Sequence, residues 1–317
     1  MIVTVTPNPA IDITYAVHAV TLGASHRVAS VHERAGGKGL NVAAVLTAMG
    51  RDSVALAPVG SGERALFETD LRDRGIAHHL VESPCATRRS IAVVDAAGEA
   101  TLFNEAGVPQ PAAVWQALTD AVSELCVAGS VLTISGSLPE NAPVDLVATV
   151  TGIGAARGVP VIVDAAGAPL VAALAKQPAL VKPNRVEAQS AVAALGSGAG
   201  SIAELLRALV DAGARAAVIS DGADGLHLLH ADVALHARLP EPLSGNATGA
   251  GDALTAALAA ELEDAGGLPQ GPEAWGRALR RGVAWSAAAV LQPVAGAVDP
   301  ADVARLEQAV EVKESRR

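Results

Sequence analysis

The chain has 317 residues, half of them hydrophobic, enough for one large domain or one domain with an appendage. Its formal net charge of -10, with no basic cluster, excludes nucleic acid and anionic membrane as partners. Any anionic ligand must be held by local positive groups against an unfavourable overall field.

Cys85 and Cys126 stand far apart and form no CxxC, as expected for structural thiols in a reducing cytosol. The start, Met1 to Pro7, has neither the basic region nor the apolar core of a signal peptide, so a cytoplasmic location is expected. Gly282 to Val298 is apolar but broken by Ser286, Gln292 and Pro293; it reads as a core helix and its exit, not a membrane span. The eight histidines show no metal spacing, and Lys313 to Arg317 reads as a solvated tail.

Ile2 to Val5 is a β-branched run stopped by Pro7-Asn8-Pro9, a buried strand leading into a turn. Ile11 to Val17 alternates apolar and polar, as a strand with one wet face does, and Val28 to Glu33 continues that style. Gly36-Gly37-Lys38-Gly39 then precedes a helix that ends near Gly50. Strands are predicted over 53–59, 77–81, 130–134, 159–163, 179–182 and 216–220, with helices between them. Two hairpins are predicted, at 89–104 around Ala96-Ala97-Gly98 and at 226–237, and helices close the chain. This alternation predicts a three-layer α/β/α domain around a mainly parallel sheet. The half-wet strands at about 11–33 and 88–106 predict a small antiparallel sheet beside it, inserted as a lid into a single 1–317 domain.

In such folds ligands bind outside the carboxyl ends of the strands, and every motif of interest follows a strand. Gly249-Ala250-Gly251 ends at Asp252 and opens an Ala-rich helix. Helix-start N–H groups lack internal partners and carry partial positive charge, so this run can face a phosphate, with Asp252 placed to take a proton from an attacking hydroxyl. Alone, the string reads better as an Asp-capped helix after a flexible loop, and it is the rest of the chain that favours the phosphate site.

Asn184 and Glu187 stand three apart at a helix start. An amide oxygen and one carboxylate suit Mg²⁺, and the same spacing is that of a capping box; the two readings coexist. Ser220-Asp221-Gly222-Ala223-Asp224-Gly225 is a nucleotide-side loop or a hairpin entry, and Ser135 to Pro139 is weak alone. Arg88 or Arg89, with Lys38 or Arg27, can clamp a substrate phosphate; Asp12 and Asn41 can bond sugar hydroxyls.

Five of these segments, in order, resemble one family. Thr6 to Asp12, Ala35 to Ala43, Ser135 to Pro139, Lys182 to Glu187 and Gly249 to Asp252 are similar to the signature blocks of the phosphofructokinase-B branch of the ribokinase-like sugar kinases. The resemblance spans nearly the whole chain. It implies ATP-dependent phosphorylation of a sugar hydroxyl, with Asp252 as base and Gly249, Ala250 and Gly251 as anion hole. It implies sugar contacts at Asp12, Gly37, Lys38, Asn41, Ser90 and Ser137, and Arg88 on a substrate phosphate. It places nucleotide contacts at Lys182, Asn184, Ser220, Gly222, Gly225, Thr248, Gly249 and Gly251, Mg²⁺ at Asn184 and Glu187, and a homodimer through the β lid. The blocks look closer to 1-phosphofructokinases and tagatose-6-phosphate kinases than to ribokinase or adenosine kinase. Minor 6-phosphofructokinases, kinases of unphosphorylated sugars and non-catalytic sugar- or nucleotide-binding regulators are the alternatives. Two departures stand out: Asn246-Ala247-Thr248 replaces the usual residues of a region that helps bind a monovalent cation in ribokinase-like members, and Ser90 stands where Asn is common.

Overall fold

The computed structural model describes residues 1–97, 100–198 and 200–315. Its first half contains β1 (Ile2–Val5), β2 (Ala10–Ala16), β3 (Ser30–Gly36), α1 (Lys38–Ala48), β4 (Ser53–Gly60), α2 (Arg64–Asp73), β5 (His78–Ser83), β6 (Arg88–Val94), β7 (Ala100–Asn104), α3 (Ala112–Leu125), β8 (Val131–Ser135) and α4 (Leu146–Ala156). The second half contains β9 (Val161–Asp164), α5 (Gly167–Leu174), β10 (Leu180–Val181), α6 (Arg185–Ala194), α7 (Ile202–Asp211), β11 (Ala216–Ser220), β12 (Leu226–His230) and β13 (Val233–Arg238). It closes with α8 (Ala250–Ala265), α9 (Gly271–Val290), α10 (Pro300–Ala309) and β14 (Glu311–Glu314).

The described strands form a ten-stranded sheet in the order β14-β13-β12-β11-β10-β9-β8-β1-β4-β5, and a four-stranded sheet β3-β2-β6-β7. The large sheet is parallel from β5 to β11 and antiparallel beyond. Its central strands are continuous apolar runs because helices cover both faces. One face packs under α1, α8, α9 and α10, with Trp275 fully buried among them. The other packs under α3 to α7. A third cluster, with Phe67 and Leu71 of α2, fills the root of the small sheet. Among the described residues no helix is long and apolar enough to cross a membrane.

Close backbone approach fixes the rim. A Cβ at Gly39 would lie 2.5 Å from Thr6 Oγ1 and 2.7 Å from the Val5 carbonyl oxygen, so α1 starts directly against the end of β1. Similarly, α8 is made mostly of Ala and Leu and is buried from Asp252 to Leu262. Small side chains let α1 and α9 close over it, and burial reaches its first turn.

Two expectations change, and one point falls outside the described residues. The small sheet is mixed: β2 and β6 run parallel, since both leave the same rim of the large sheet, one after β1 and one after β5. The last described element is a strand where a helix was expected, and it takes in Lys313 and Glu314 of the expected tail; Arg316 and Arg317 lie outside the described residues. β14 adds to β13 with Val312 opposite Ala237 and Lys313 opposite His236. Gly98, at the expected hairpin turn between β6 and β7, lies outside the described residues.

Candidate active site

Asp252 sits in the first turn of α8 and is only 5% exposed. The helix is entered through Gly249, whose φ of 87° suits glycine, and a Cβ there would meet Ala295 Cα at 2.8 Å. The Gly251 N–H has no partner among the described residues, whereas Ala250 and Asp252 N–H make long turn bonds to Ala247 and Gly249 carbonyls, at 3.2 and 3.1 Å. Asn41, on α1, donates its amide to Asp252 Oδ2 at 2.9 Å. The Asn41 Oδ1 is buried without a partner, an acceptor available to a ligand hydroxyl. Burial pushes the Asp252 carboxyl up to about 7; Lys38 and the Asn41 bond oppose the rise and the neighbouring Asp164 adds to it.

Asp164, the last residue of β9, is a site residue that the motifs did not reveal. It is 1% exposed and lies 3.3 Å from Lys182 Nζ and 3.5 Å from Lys38 Nζ. Thr255 donates to its other oxygen at 3.3 Å. Burial alone would raise Asp164, but the two lysines hold it below its ordinary value. Asp164 in turn raises Lys38, so both stay charged near pH 7. An acid ending a parallel strand on the ligand rim was the available signal.

Beside this cluster a cleft of about 450 Å³ runs between α8, α9 and the segments 220–226 and 239–247. Lys38, Lys182, Asn184, Glu187 and Gly251 form its polar end; Leu226, Leu243, Leu254 and Val290 line the apolar end. Ser220, Gly222 and Gly225 lie along its edge. Gly225 has φ 90°, and a Cβ would collide with the Ala237 carbonyl at 2.1 Å. The capping box is present: Asn184 Oδ1 accepts from the Glu187 N–H and Glu187 Oε2 from the Asn184 N–H, both at 2.9 Å. These bonds leave lone pairs on both side chains facing the cleft.

The small sheet brings in the remaining residues. Asp12 faces Arg34 across β2–β3 and Ser90 across β2–β6. Burial raises Asp12, and Arg34 and Arg88 oppose that. Arg88 is already occupied. Its Nε and Nη2 donate to the Asn8 carbonyl at 3.3 and 3.1 Å, and its Nη1 to the Glu105 carbonyl at 3.0 Å. Asn8, another residue missed in the sequence, also donates to Ser137 Oγ at 3.3 Å, so Arg88 and Ser137 share one anchor. Gly37, φ 114°, packs on Thr6 and Pro9 at the start of α1. Thr248 is exposed and its N–H bonds Asn246 Oδ1 at 3.0 Å; it borders the pocket with Asp12 and Ser90. Arg27 and Arg89 are exposed, and Arg89 uses its backbone N–H on Glu105.

Residues 5–302 match the model of the pfkB family carbohydrate kinases. The chain belongs to that family. It is 39% identical over 267 residues to a 1-phosphofructokinase of Xanthomonas campestris pv. campestris, covering 83% of this chain and 84% of that one. A 1-phosphofructokinase of Rhodobacter capsulatus is 32% identical over 81% of this chain and 82% of its own. Among solved structures, phosphofructokinase-2 from Escherichia coli in complex with potassium superposes with a TM-score of 0.88 at 25% identity, covering 97% and 98% of the two chains. As a pfkB kinase the protein is a phosphotransferase acting on a sugar hydroxyl.

The raised Asp252 carboxyl predicts a pH dependence of stability. Its value is about 7 in the fold against 3.8 as a free side chain, so the folded state holds a proton that the unfolded chain has released. That contribution is complete below about pH 4 and is lost as pH rises through about 7. In urea unfolding, the Asp252→Asn protein, uncharged at every pH, is expected to gain on the wild type between pH 5 and pH 8. An advantage that shrinks over that interval would contradict the assigned shift.

Proposed function

We propose that the chain transfers the γ-phosphoryl group of ATP to fructose 1-phosphate, giving fructose 1,6-bisphosphate and ADP. The observation that carries phosphoryl transfer is Asp252, buried at the start of α8 beside the cleft and holding a carboxyl near 7. The likeness to two 1-phosphofructokinases supports the choice of sugar.

Phosphoryl transfer asks for positioning and charge stabilisation rather than covalent chemistry. In this reading the apolar end of the cleft takes adenosine, and Lys182 and Lys38 hold the phosphates. The Gly251 N–H meets the oxygens on which charge develops. Asp12, Gly37, Asn41 and Ser90 orient the sugar. Asp252 accepts the hydroxyl proton as the new bond forms, and Asn41 aims its carboxylate. Closure of the small sheet excludes water, which competes as acceptor. Glu187 and the Asn184 oxygen, an all-oxygen set with a single carboxylate, fit a Mg²⁺ ion that keeps several waters and would neutralise phosphate charge. A non-catalytic regulator has no use for a buried base with an orienting amide.

Three outcomes test the reading. ADP release with ATP and Mg²⁺ is expected on fructose 1-phosphate, and not on fructose 6-phosphate, tagatose 6-phosphate, fructose or ribose. Preference for another sugar of that set replaces the substrate, and inactivity on all with nucleotide still bound favours the regulator. Arg88→Ala is expected to raise KM for the phosphosugar by about 1.5–3 kcal/mol in binding while leaving that for ATP unchanged. Equal effects would remove Arg88 from the sugar end.

The Asp252 carboxyl must be ionised to act. Below about pH 7, kcat/KM should therefore fall about tenfold per pH unit, with a plateau above. Asp252→Asn should lower kcat on the order of 10²–10⁴-fold with ATP binding intact. A flat profile, or near-normal turnover in the variant, excludes Asp252 as the base.

On one face the small sheet leaves Val31 and Phe103 exposed, at 52% and 59%, and we assign that face to a second copy of the chain. Light scattering should return twice the chain mass, and Phe103→Glu should return the single mass. A wild-type monomer at assay concentration sinks this interface.

A further inference from the structure

Arg34 is a half-buried cation with few partners. It reaches from β3 across to the loop that follows α9, where Nη2 donates to the Ala295 carbonyl. That is the one hydrogen bond of its guanidinium among the described residues, and no carboxylate there lies within ion-pair distance. Burial lowers its pKa, and the charge of Asp12 opposite supports it. The loop it holds touches both working parts of the site. Ala295 packs under Gly249, where a Cβ would come within 2.8 Å of Ala295 Cα. Gly296 packs on Asn41, where a Cβ would stand 2.8 Å from Asn41 Oδ1. One residue earlier in the chain than Ala295's neighbour Val294, the Pro293 carbonyl accepts from Asn246 Nδ2 at 3.2 Å.

The segments 246–248 and 293–296 border one pocket and are tied by the Asn246–Pro293 bond, and backbone carbonyl oxygens of such turns are what a monovalent cation would use. Here the donor set does not fit one. The Pro293 and Ala295 carbonyls already face an amide and a guanidinium, and a second cation beside Arg34 would be repelled. We infer that Arg34 is a positioning residue that does the work of a bound cation: it gathers the 293–296 loop and so fixes Gly249 and Asn41 around the base. The tie also joins the lid sheet to the phosphate-facing turn, so lid and anion hole move as one. This rests on the proposed kinase reaction for its kinetic test and not for its binding test.

The binding test compares thermal unfolding in KCl and in tetramethylammonium chloride at equal ionic strength. A cation that binds the folded state raises the midpoint, so the wild type is expected to give the same midpoint in both salts. In the kinetic test, fructose 1-phosphate turnover should also be equal in the two salts. Arg34→Met should lower kcat by roughly ten- to a hundredfold with KM for ATP unchanged, the size expected for a misplaced site. Arg34→Lys, which keeps the charge and one reach to Ala295, should recover much of the loss. A wild-type midpoint or rate raised by K⁺ over the control overturns the inference, as does wild-type kcat in a folded Arg34→Met protein. Absence of turnover in the wild type would count against the kinase reading, while the unfolding comparison still decides this one.

Discussion

The Asp164 carboxylate, buried between Lys182 and Lys38, is the interaction on which the site depends. Burying a carboxylate and an ammonium costs several kcal/mol per ion, and their attraction seldom returns more than that. The arrangement therefore contributes little to stability and much to the local field. Two lysines against Asp164 leave one ammonium to offset Asp252, so the rim is not a net anion even when that base is ionised. In a chain of net charge -10 this local balance lowers the barrier to an approaching phosphate. The sheet makes it feasible. Asp164 ends β9 and Lys182 directly follows β10, so adjacent parallel strands deliver acid and base to the same height. Lys38 arrives from the other side at the start of α1.

The same field sets Asp252. An acid in the first turn of a helix is ordinarily lowered by the helix dipole. Here burial outweighs that, and Asp164 adds to the rise. The burial itself traces to composition, because the alanines of α8 let α1 and α9 close to its first turn. A general base is most useful with a pKa near the working pH, and this packing brings a carboxyl there. Composition of one helix, through packing density, thus reaches the acid–base chemistry of its first turn. Lys38 and Asn41 pull the other way, which keeps the carboxyl from being locked neutral.

What the sequence revealed was what is local. The strand–helix rhythm, the capping box at Asn184 and the Gly runs each depend on residues within a few positions of one another. Asp164 escaped notice because a single acid at a strand end is only a weak signal; its meaning comes from Lys38 and Lys182, which tertiary structure brings to it. β14 escaped because Glu311 to Glu314 carries one apolar residue, and only pairing with β13 makes it a strand. The small sheet was legible as strands and as the β6–β7 hairpin, but not in the pairing of β2 with β6. Nothing near β2 or β6 announces that they run side by side in the same direction.

That pairing decides how the lid meets the sugar. On β2, Asp12 stands level with Arg34 of β3 and Ser90 of β6, so one row across three strands carries an acid, a guanidinium and a hydroxyl. A one-residue slip in either pairing would turn part of the row to the other face, so the register must be held. It is held at the sheet's root by Arg88, which binds the Asn8 carbonyl before β2 and the Glu105 carbonyl after β7. Three of the five Arg88 N–H groups are spent on this, and two remain for a ligand. Fixing the guanidinium in advance removes the entropy that a free arginine would lose on binding. One residue can therefore set the lid's register and still present a preorganised donor pair, and the two roles reinforce each other.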